Sequence, residues 1–232
     1  MLADDVQIAS TTAEAAPSKG RSWARWMRRL VLGAGAFLVA GNVAIIAVSL
    51  LLGQFVAPSR PAAIAGVANL AVVDAKVWRS AAPTMAGYQG LADAGVTTVV
   101  DLRAEDGVDT ADTAIRAMGL DVVHLPIRDG QTPSEPQVAA FLAIVSASKG
   151  TVVVHCGAGV GRSGAMAAAY LVATGQASAL RATVRNLAIG PPSLEQLAFS
   201  LSLTADDADG APLPIVAVSR ILDAPRRLWS RF

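Results

Sequence analysis

The distribution of apolar and polar positions divides the chain into one long apolar run and a region of shorter, alternating patterns after it. No charged residue occurs from Leu30 to Ser59, and residues 30–56 are mostly Leu, Val, Ala, Ile and Gly. An apolar helix of about 20 residues spans the hydrocarbon core of a membrane, so the run predicts a transmembrane helix at residues 30–56. A cleaved signal peptide is the main alternative. Its apolar region usually has about 7–15 residues, which favours an uncleaved anchor.

The segment before the apolar run is basic and shows no apolar periodicity. Residues 1–29 are predicted to be a disordered tail, and its last part, RSWARWMRR, has the Trp and Arg content of a membrane–water interface. The basic residues ahead of the run are Lys19, Arg21, Arg25, Arg28 and Arg29. Only Arg60 follows it closely. The positive-inside rule therefore predicts a single-pass protein with a cytoplasmic N-terminus and an extracytoplasmic remainder.

After a linker at residues 57–68 that is rich in Pro, Ala and Gly, strand and helix patterns alternate up to residue 203. Strands are predicted at residues 75–78, 96–102, 122–127 and 151–154, and helices at residues 84–95, 110–118, 134–148, 161–174, 177–187 and 193–203. Strands that are almost continuously apolar are typical of a sheet covered on both faces. The fold class predicted for residues 69–203 is therefore α/β, with a central, largely parallel sheet flanked by helices.

Residues 204–232 form an acidic, Pro-containing linker followed by a basic amphipathic tail. The tail could lie in a membrane interface. It could also form a C-terminal helix that packs on its own domain with the arginines outward, and the sequence pattern leaves both alternatives open.

The segment TVVVHCGAGVGRSG, residues 151–164, combines a strand, a glycine-rich loop and the start of a helix. Glycines allow successive backbone N–H groups to point to one centre, and the helix dipole adds positive potential there. These groups favour the thiolate form of Cys156, which begins the loop. Arg162 follows the cysteine after five intervening residues and can reach back to bind two phosphate oxygens. The segment therefore predicts a nucleophile and a dianion-binding loop in one place.

The sequence HCGAGVGRSG resembles the H-C-(x)5-R-[ST]-G signature of the cysteine-dependent protein tyrosine and dual-specificity phosphatases. VWRSAAP and VVDLRAED are similar to the atypical, bacterial-type branch of that superfamily. The resemblance implies a phosphatase domain at residues 69–203, a phosphocysteine intermediate, and no metal or organic cofactor. It implies catalytic roles for Cys156, Arg162 and Ser163, and a hydrogen-bonding role for His155 that shapes the loop. The implied substrate-binding residues are Gly157, Ala158, Gly159, Val160, Gly161 and Arg162.

The segment LPIRDGQTP resembles the mobile acid loop of the same superfamily. This resemblance implies that Asp129 protonates the leaving oxygen and later acts as the base toward water. A turn aspartate that bonds its own backbone is the alternative. Ser163 could likewise only satisfy an amide at the helix N-terminus. Asp101, Arg103 and Glu105 are predicted to form a structural ion-pair group, with substrate contacts as the second possibility.

The composition narrows the function further. The net charge of +1 gives no indication of a nucleic-acid partner, and the single cysteine excludes an intramolecular disulfide and a multi-cysteine metal site. With only two histidines, a metal-dependent hydrolase is disfavoured, and His124 is predicted to be a buried core residue.

The prediction from the sequence is a membrane-anchored phosphatase whose partners are the membrane and a phosphorylated protein or small phosphoester. The protein substrates would carry phosphotyrosine or phosphoserine/threonine. An inositol-phosphate or phosphoinositide phosphatase of the same fold is the first alternative. A phosphate-binding module or a sulfurtransferase is less favoured.

Overall fold

The computed structural model describes residues 19–56, 60–104, 111–204 and 213–222. Within these ranges the chain forms eight helices and five strands. In chain order they are α1 (Lys19–Phe55), β1 (Ala71–Val72), β2 (Val77–Ala81), α2 (Met85–Asp93), β3 (Val96–Arg103), α3 (Asp112–Ala117), β4 (Asp121–Ile127), α4 (Glu135–Ala147), β5 (Thr151–Cys156), α5 (Arg162–Ala173), α6 (Ala179–Leu187), α7 (Leu194–Ser202) and α8 (Leu213–Leu222). Two compact units result, one ending at Ala40 and the other beginning at Gly41.

Helix α1 extends further toward the N-terminus than the apolar run. The disordered tail was predicted to reach residue 29, whereas the helix already begins at Lys19. No proline interrupts this segment, and adding residues to an existing helix is easier than starting one. The rest of the predicted tail, residues 1–18, lies outside the described residues. By length and composition, Trp23–Phe55 could cross a membrane, and 6% of its most apolar 18-residue window is buried. A signal sequence near the N-terminus has the same features.

The five strands form one sheet in the order β1-β2-β5-β3-β4. Only β1 is antiparallel to its neighbour, so the predicted α/β class with a largely parallel sheet is confirmed. Strand β2 continues past the end of the strand predicted at residues 75–78 and includes Arg79 and Ser80. These two residues pair in parallel with Val154 and His155 of the central strand, and this pairing extends the strand.

Helices cover the sheet on both faces. On one face Phe141 of α4, Met166 of α5 and Phe199 of α7 belong to one fully buried apolar cluster. On the other face Leu91 of α2 and Ile115 of α3 belong to a second cluster. Burial of this apolar surface is the main stabilising contribution to the fold. The cluster around α2 also includes residues 64 and 67 of the predicted linker.

The C-terminal helix α8 packs on the domain rather than away from it. The Ser219 hydroxyl accepts a hydrogen bond from the backbone N–H of Glu195 (3.1 Å), and Arg220 pairs with the Glu195 carboxylate (3.4 Å). The arginine of this helix is therefore directed to the domain, while Leu213 and Ile221 are 84% and 68% exposed. The remainder of the predicted tail, residues 205–212 and 223–232, lies outside the described residues.

Candidate active site

The loop between β5 and α5 surrounds the single cysteine. Cys156 is the last residue of β5 and is only 2% exposed. Its sulfur accepts a hydrogen bond from the backbone N–H of Gly159 (3.3 Å) and lies 3.6 Å from the Ser163 hydroxyl. The loop and the first turn of α5 thus enclose the sulfur.

Two glycines allow the loop to fit closely against the rest of the domain. Gly159 has a φ of +71°, and a Cβ atom at this position would collide with the backbone of Ser80 and Ala81. A Cβ atom at Gly161 would overlap the side chain of Gln196. The loop is thus held between β2 and the start of α7. The backbone next to Gly159 excludes a larger residue there, whereas a larger residue at position 161 would have to displace the Gln196 side chain.

Arg162 links this loop to the end of strand β4. Its side chain is buried, and Nη1 donates to the carbonyl of Ile127 (3.1 Å) at the end of β4. Nη2 lies 3.5 Å from Oδ1 of Asp129, in the turn that follows β4. The structure therefore brings the predicted nucleophile loop and the predicted acid together at the carboxyl ends of the strands, where ligands bind in open α/β folds.

The turn that carries Asp129 is held by the N-terminal end of α7. The Ser193 hydroxyl donates to the carbonyl of Gly130 (2.8 Å), and Gln196 Nε2 donates to the carbonyl of Gln131 (2.9 Å). Ser193 and Gln196 also form a capping box at the start of α7. The capping pattern could be read from the sequence. The two bonds to the acid turn could not, because they join segments more than sixty positions apart.

His155 lies on the opposite face of the central strand from Cys156 and is fully buried. Its Nε2 is 3.1 Å from the Tyr88 hydroxyl, and its Nδ1 is 3.7 Å from Oδ1 of Asp101. Burial lowers the pKa of His155 to about 4, although the Asp101 carboxylate opposes this shift. Burial also raises the pKa of Tyr88 to about 12. The imidazole is therefore neutral at pH 7, and its ring nitrogens face Tyr88 and Asp101.

The predicted ion pair between Asp101 and Arg103 is present at the end of β3. Arg103 Nη2 lies 2.7 Å from Asp101 Oδ2. Burial alone would raise the pKa of Asp101, but the hydrogen bonds from Arg103 and the nearby His155 lower it. Glu105 lies outside the described residues. The prediction for His124 was wrong: its side chain is 34% exposed and its Nε2 lies 3.0 Å from Asp112, because β4 is an edge strand.

One residue that lies just beyond the strand predicted at residues 75–78 contacts the loop. Arg79 on β2 is buried, and its guanidinium contacts the loop backbone. The signal in the sequence was a basic residue inside an apolar, strand-like segment. In the part of the chain that the structure describes, no group of three or more His, Cys, Asp or Glu side chains could hold a metal ion.

A family model described as "DSP-PTPase phosphatase fused to NAD+ Kinase" matches residues 65–202. The chain belongs to this family. It is therefore a member of the cysteine-dependent protein tyrosine and dual-specificity phosphatase superfamily.

Curated relatives match over short stretches. NAD kinase 2, chloroplastic, of Arabidopsis thaliana is 40% identical over 95 residues, which are 38% of this chain and 10% of that relative. Tyrosine-protein phosphatase cdc-14 of Caenorhabditis elegans is 38% identical over 77 residues, which are 33% of this chain and 10% of that protein. The chain thus spans about a tenth of the length of these relatives.

Solved structures share the fold over nearly their whole length. P. aeruginosa TpbA, in complex with pTyr, has a TM-score of 0.51 at 20% identity and covers 72% of this chain and 96% of its own. The core catalytic domain of the PP-IP phosphatase SIW14 from S. cerevisiae has a TM-score of 0.52 at 15% identity, with 72% and 98% covered. At these identities the likeness concerns the fold.

Proposed function

We propose that the chain hydrolyses phosphomonoesters through a phosphocysteine intermediate on Cys156. The observation that carries this proposal is the 3.5 Å approach of the Asp129 carboxylate to the Arg162 guanidinium beside the loop. Because Arg162 begins the helix that follows this loop, the approach brings Asp129 to the same site as Cys156. A nucleophile, a cation that binds phosphate and a proton donor are the three groups that such a hydrolysis requires.

In the first step the Cys156 thiolate attacks phosphorus in line with the ester oxygen. An S–P bond forms as the P–O ester bond breaks, and protonated Asp129 donates its proton to the departing oxygen. The loop N–H groups and Arg162 hold the three remaining oxygens of the phosphoryl group. Products of this step are the free alcohol or phenol and the phosphocysteine.

In the second step a water molecule attacks the phosphocysteine. Asp129, now a carboxylate, accepts a proton from this water as the O–P bond forms and the S–P bond breaks. The Ser163 hydroxyl, 3.6 Å from the sulfur, donates a hydrogen bond to the departing thiolate. Inorganic phosphate is released, and the enzyme returns to its starting protonation state.

We infer that the substrates are phosphotyrosine or phosphoserine/threonine proteins. The loop between Cys156 and Arg162 contains no lysine, which a substrate with several phosphate groups would favour. The TpbA structure that shares the fold holds pTyr. The alternative substrate class is an inositol phosphate or phosphoinositide, and SIW14, whose fold is shared to a similar degree, is named a PP-IP phosphatase.

We further propose that helix α1 anchors the protein in a membrane, with the N-terminus in the cytoplasm and the catalytic domain outside. The support is the apolar Trp23–Phe55 segment and the excess of basic residues before it. A C-terminal reporter enzyme that is active only outside the cytoplasm tests the orientation. Activity of a cytoplasmic reporter at the same position would reverse it.

The central experiment measures phosphate release by the full-length chain in detergent micelles. Substrates are a phosphotyrosine peptide, a phosphoserine peptide, a phosphoinositide and soluble inositol phosphates, and thiosulfate tests for sulfur transfer. Wild type is compared with Cys156→Ser, and acid quenching traps any phosphoenzyme. Because the chain has one cysteine, phosphate bound through sulfur in the wild type and absent from Cys156→Ser identifies the intermediate. Binding of phosphate without turnover of any substrate would favour a binding module.

A further inference from the structure

Arg79 is the buried cation beneath the phosphate loop. It lies on β2, opposite Val154 of the central strand, and is 3% exposed. Nη2 donates to the carbonyls of Gly159 (2.8 Å) and Val160 (2.9 Å), and Nη1 donates to Oδ1 of Asn186 on α6 (2.7 Å). One guanidinium group therefore joins β2, the loop backbone and α6.

These contacts fix the direction of two backbone N–H groups. In a planar trans peptide the C=O and the N–H point in opposite directions. The carbonyl of Gly159 shares a peptide with the N–H of Val160, and the carbonyl of Val160 shares one with the N–H of Gly161. When Arg79 holds both carbonyls on the underside of the loop, both N–H groups point to the opposite side, where a phosphoryl group would bind.

The charge of Arg79 has a second effect. Among the residues that the structure describes, no carboxylate forms an ion pair with its guanidinium, so an uncompensated cation is buried there. Burial lowers the pKa of Arg79 to about 10, and the nearby Cys156 opposes this shift. Gly159 joins the two groups directly, because its carbonyl accepts from Arg79 and its N–H donates to the Cys156 sulfur.

We propose that Arg79 is a positioning residue that orients the loop N–H groups toward phosphate and stabilises the Cys156 thiolate from beneath the loop. This inference rests on the proposed function only in taking Cys156 as the nucleophile. It assigns Arg79 no contact with the substrate. Asn186 orients the guanidinium so that both carbonyls are within reach.

The test uses the full-length chain in detergent and two readouts that require no turnover. The first is the pH midpoint of thiolate formation, measured as the ultraviolet absorbance difference between each variant and the same variant with Cys156→Ser. With one cysteine in the chain, this difference reports Cys156 alone. The second is the affinity for inorganic phosphate, measured by calorimetry. Because neither depends on activity, failure of the proposed phosphatase function and failure of this inference are distinguishable.

Arg79→Gln is expected to raise the thiolate midpoint by about one pH unit and to weaken phosphate binding about tenfold. Arg79→Lys keeps the charge but replaces the planar fork by one donor atom. It should therefore move the midpoint less than Arg79→Gln and weaken phosphate binding as much. The matched control is Arg185→Gln, which removes a cation that donates to the carbonyl of Val73 (2.8 Å) and should change neither readout.

Asn186→Asp provides a test with almost no change of shape, in case Arg79→Gln does not fold. The new carboxylate would accept the same hydrogen bond and neutralise Arg79, so the thiolate midpoint should rise while the loop remains clamped. An Arg79→Gln protein with the wild-type midpoint and phosphate affinity would overturn the proposal. So would an unchanged midpoint in Asn186→Asp.

Discussion

The loop that carries Cys156 and the turn that carries Asp129 both lie at the carboxyl ends of the parallel strands. They differ in which residues fix their positions. The Cys156 loop lies between a strand and a helix that are adjacent in the chain, and its own N–H group bonds the sulfur. The Asp129 turn depends on Ser193 and Gln196, which are more than sixty positions away. The Cys156 loop is thus built from consecutive residues and has Arg79 as its distant support, whereas the position of Asp129 beside it depends entirely on the packed domain.

The largest effect should come from breaking the local half of the site. Cys156→Ser is expected to reduce turnover by about 10⁴-fold or more, because the hydroxyl is a far weaker nucleophile than a thiolate. Phosphate affinity should remain, since the loop N–H groups and Arg162 are unchanged. Steady-state kinetics and calorimetry on the same preparation measure both. Loss of phosphate affinity together with turnover would show that the cysteine also maintains the loop.

Changing Asp129, whose position depends on contacts between distant segments, should have the next largest effect. Asp129→Asn is expected to lower kcat by about 10³-fold for alkyl phosphates, because a poor leaving group needs the proton. Aryl phosphates with good leaving groups serve as the control and should lose much less. If alkyl phosphate turnover is unchanged, Asp129 is not the acid.

The third prediction concerns the buried His155, which precedes Cys156 on β5, and the pH dependence of protein stability. His155 has a pKa of about 4 in the folded protein, below its ordinary value of 6.5. Between pH 6.5 and pH 4 the unfolded chain therefore binds a proton at this histidine that the folded chain does not. Its contribution to stability is present above pH 6.5 and is lost as the pH falls to 4, by about 3 kcal/mol in total.

Chemical denaturation at a series of pH values measures this loss. His155→Asn should flatten the fall in the free energy of unfolding between pH 6.5 and 4. Equal slopes in the two proteins would exclude a neutral buried His155.

The smallest effect tests the support of the acid turn. Ser193→Ala removes the hydrogen bond to the Gly130 carbonyl and should lower kcat about tenfold, with little change of phosphate affinity. Ser178→Ala is the matched control, since Ser178 caps α6 by accepting from the N–H of Arg181 (3.4 Å). Both variants should lose similar stability, about 1 kcal/mol, as the cost of a lost cap.

A double mutant separates positioning from general destabilisation. In an Asp129→Asn background, Ser193→Ala should have no further effect on kcat, because there is no acid left to place. Additive losses would show that Ser193 acts by another route.

The sequence by itself determined the parts of the molecule that depend on near neighbours. The apolar strand at residue 151, the glycines after Cys156 and the position of Arg162 define a strand, loop and helix whose geometry is local. Periodicity likewise located three of the four parallel strands closely. The helices predicted at residues 84–95 and 193–203 begin within one residue of α2 and α7, because helix start signals act within a few residues. These signals were sufficient for the fold class.

Only the tertiary structure decided which distant groups support the site. The bond between Arg79 and Asn186 spans 107 positions, and the bond between Ser193 and Gly130 spans 63. The same packing makes His155 neutral and leaves His124 partly exposed at the edge of the sheet. Contacts of this kind follow from how helices and strands pack against each other, and no local pattern in the chain specifies them.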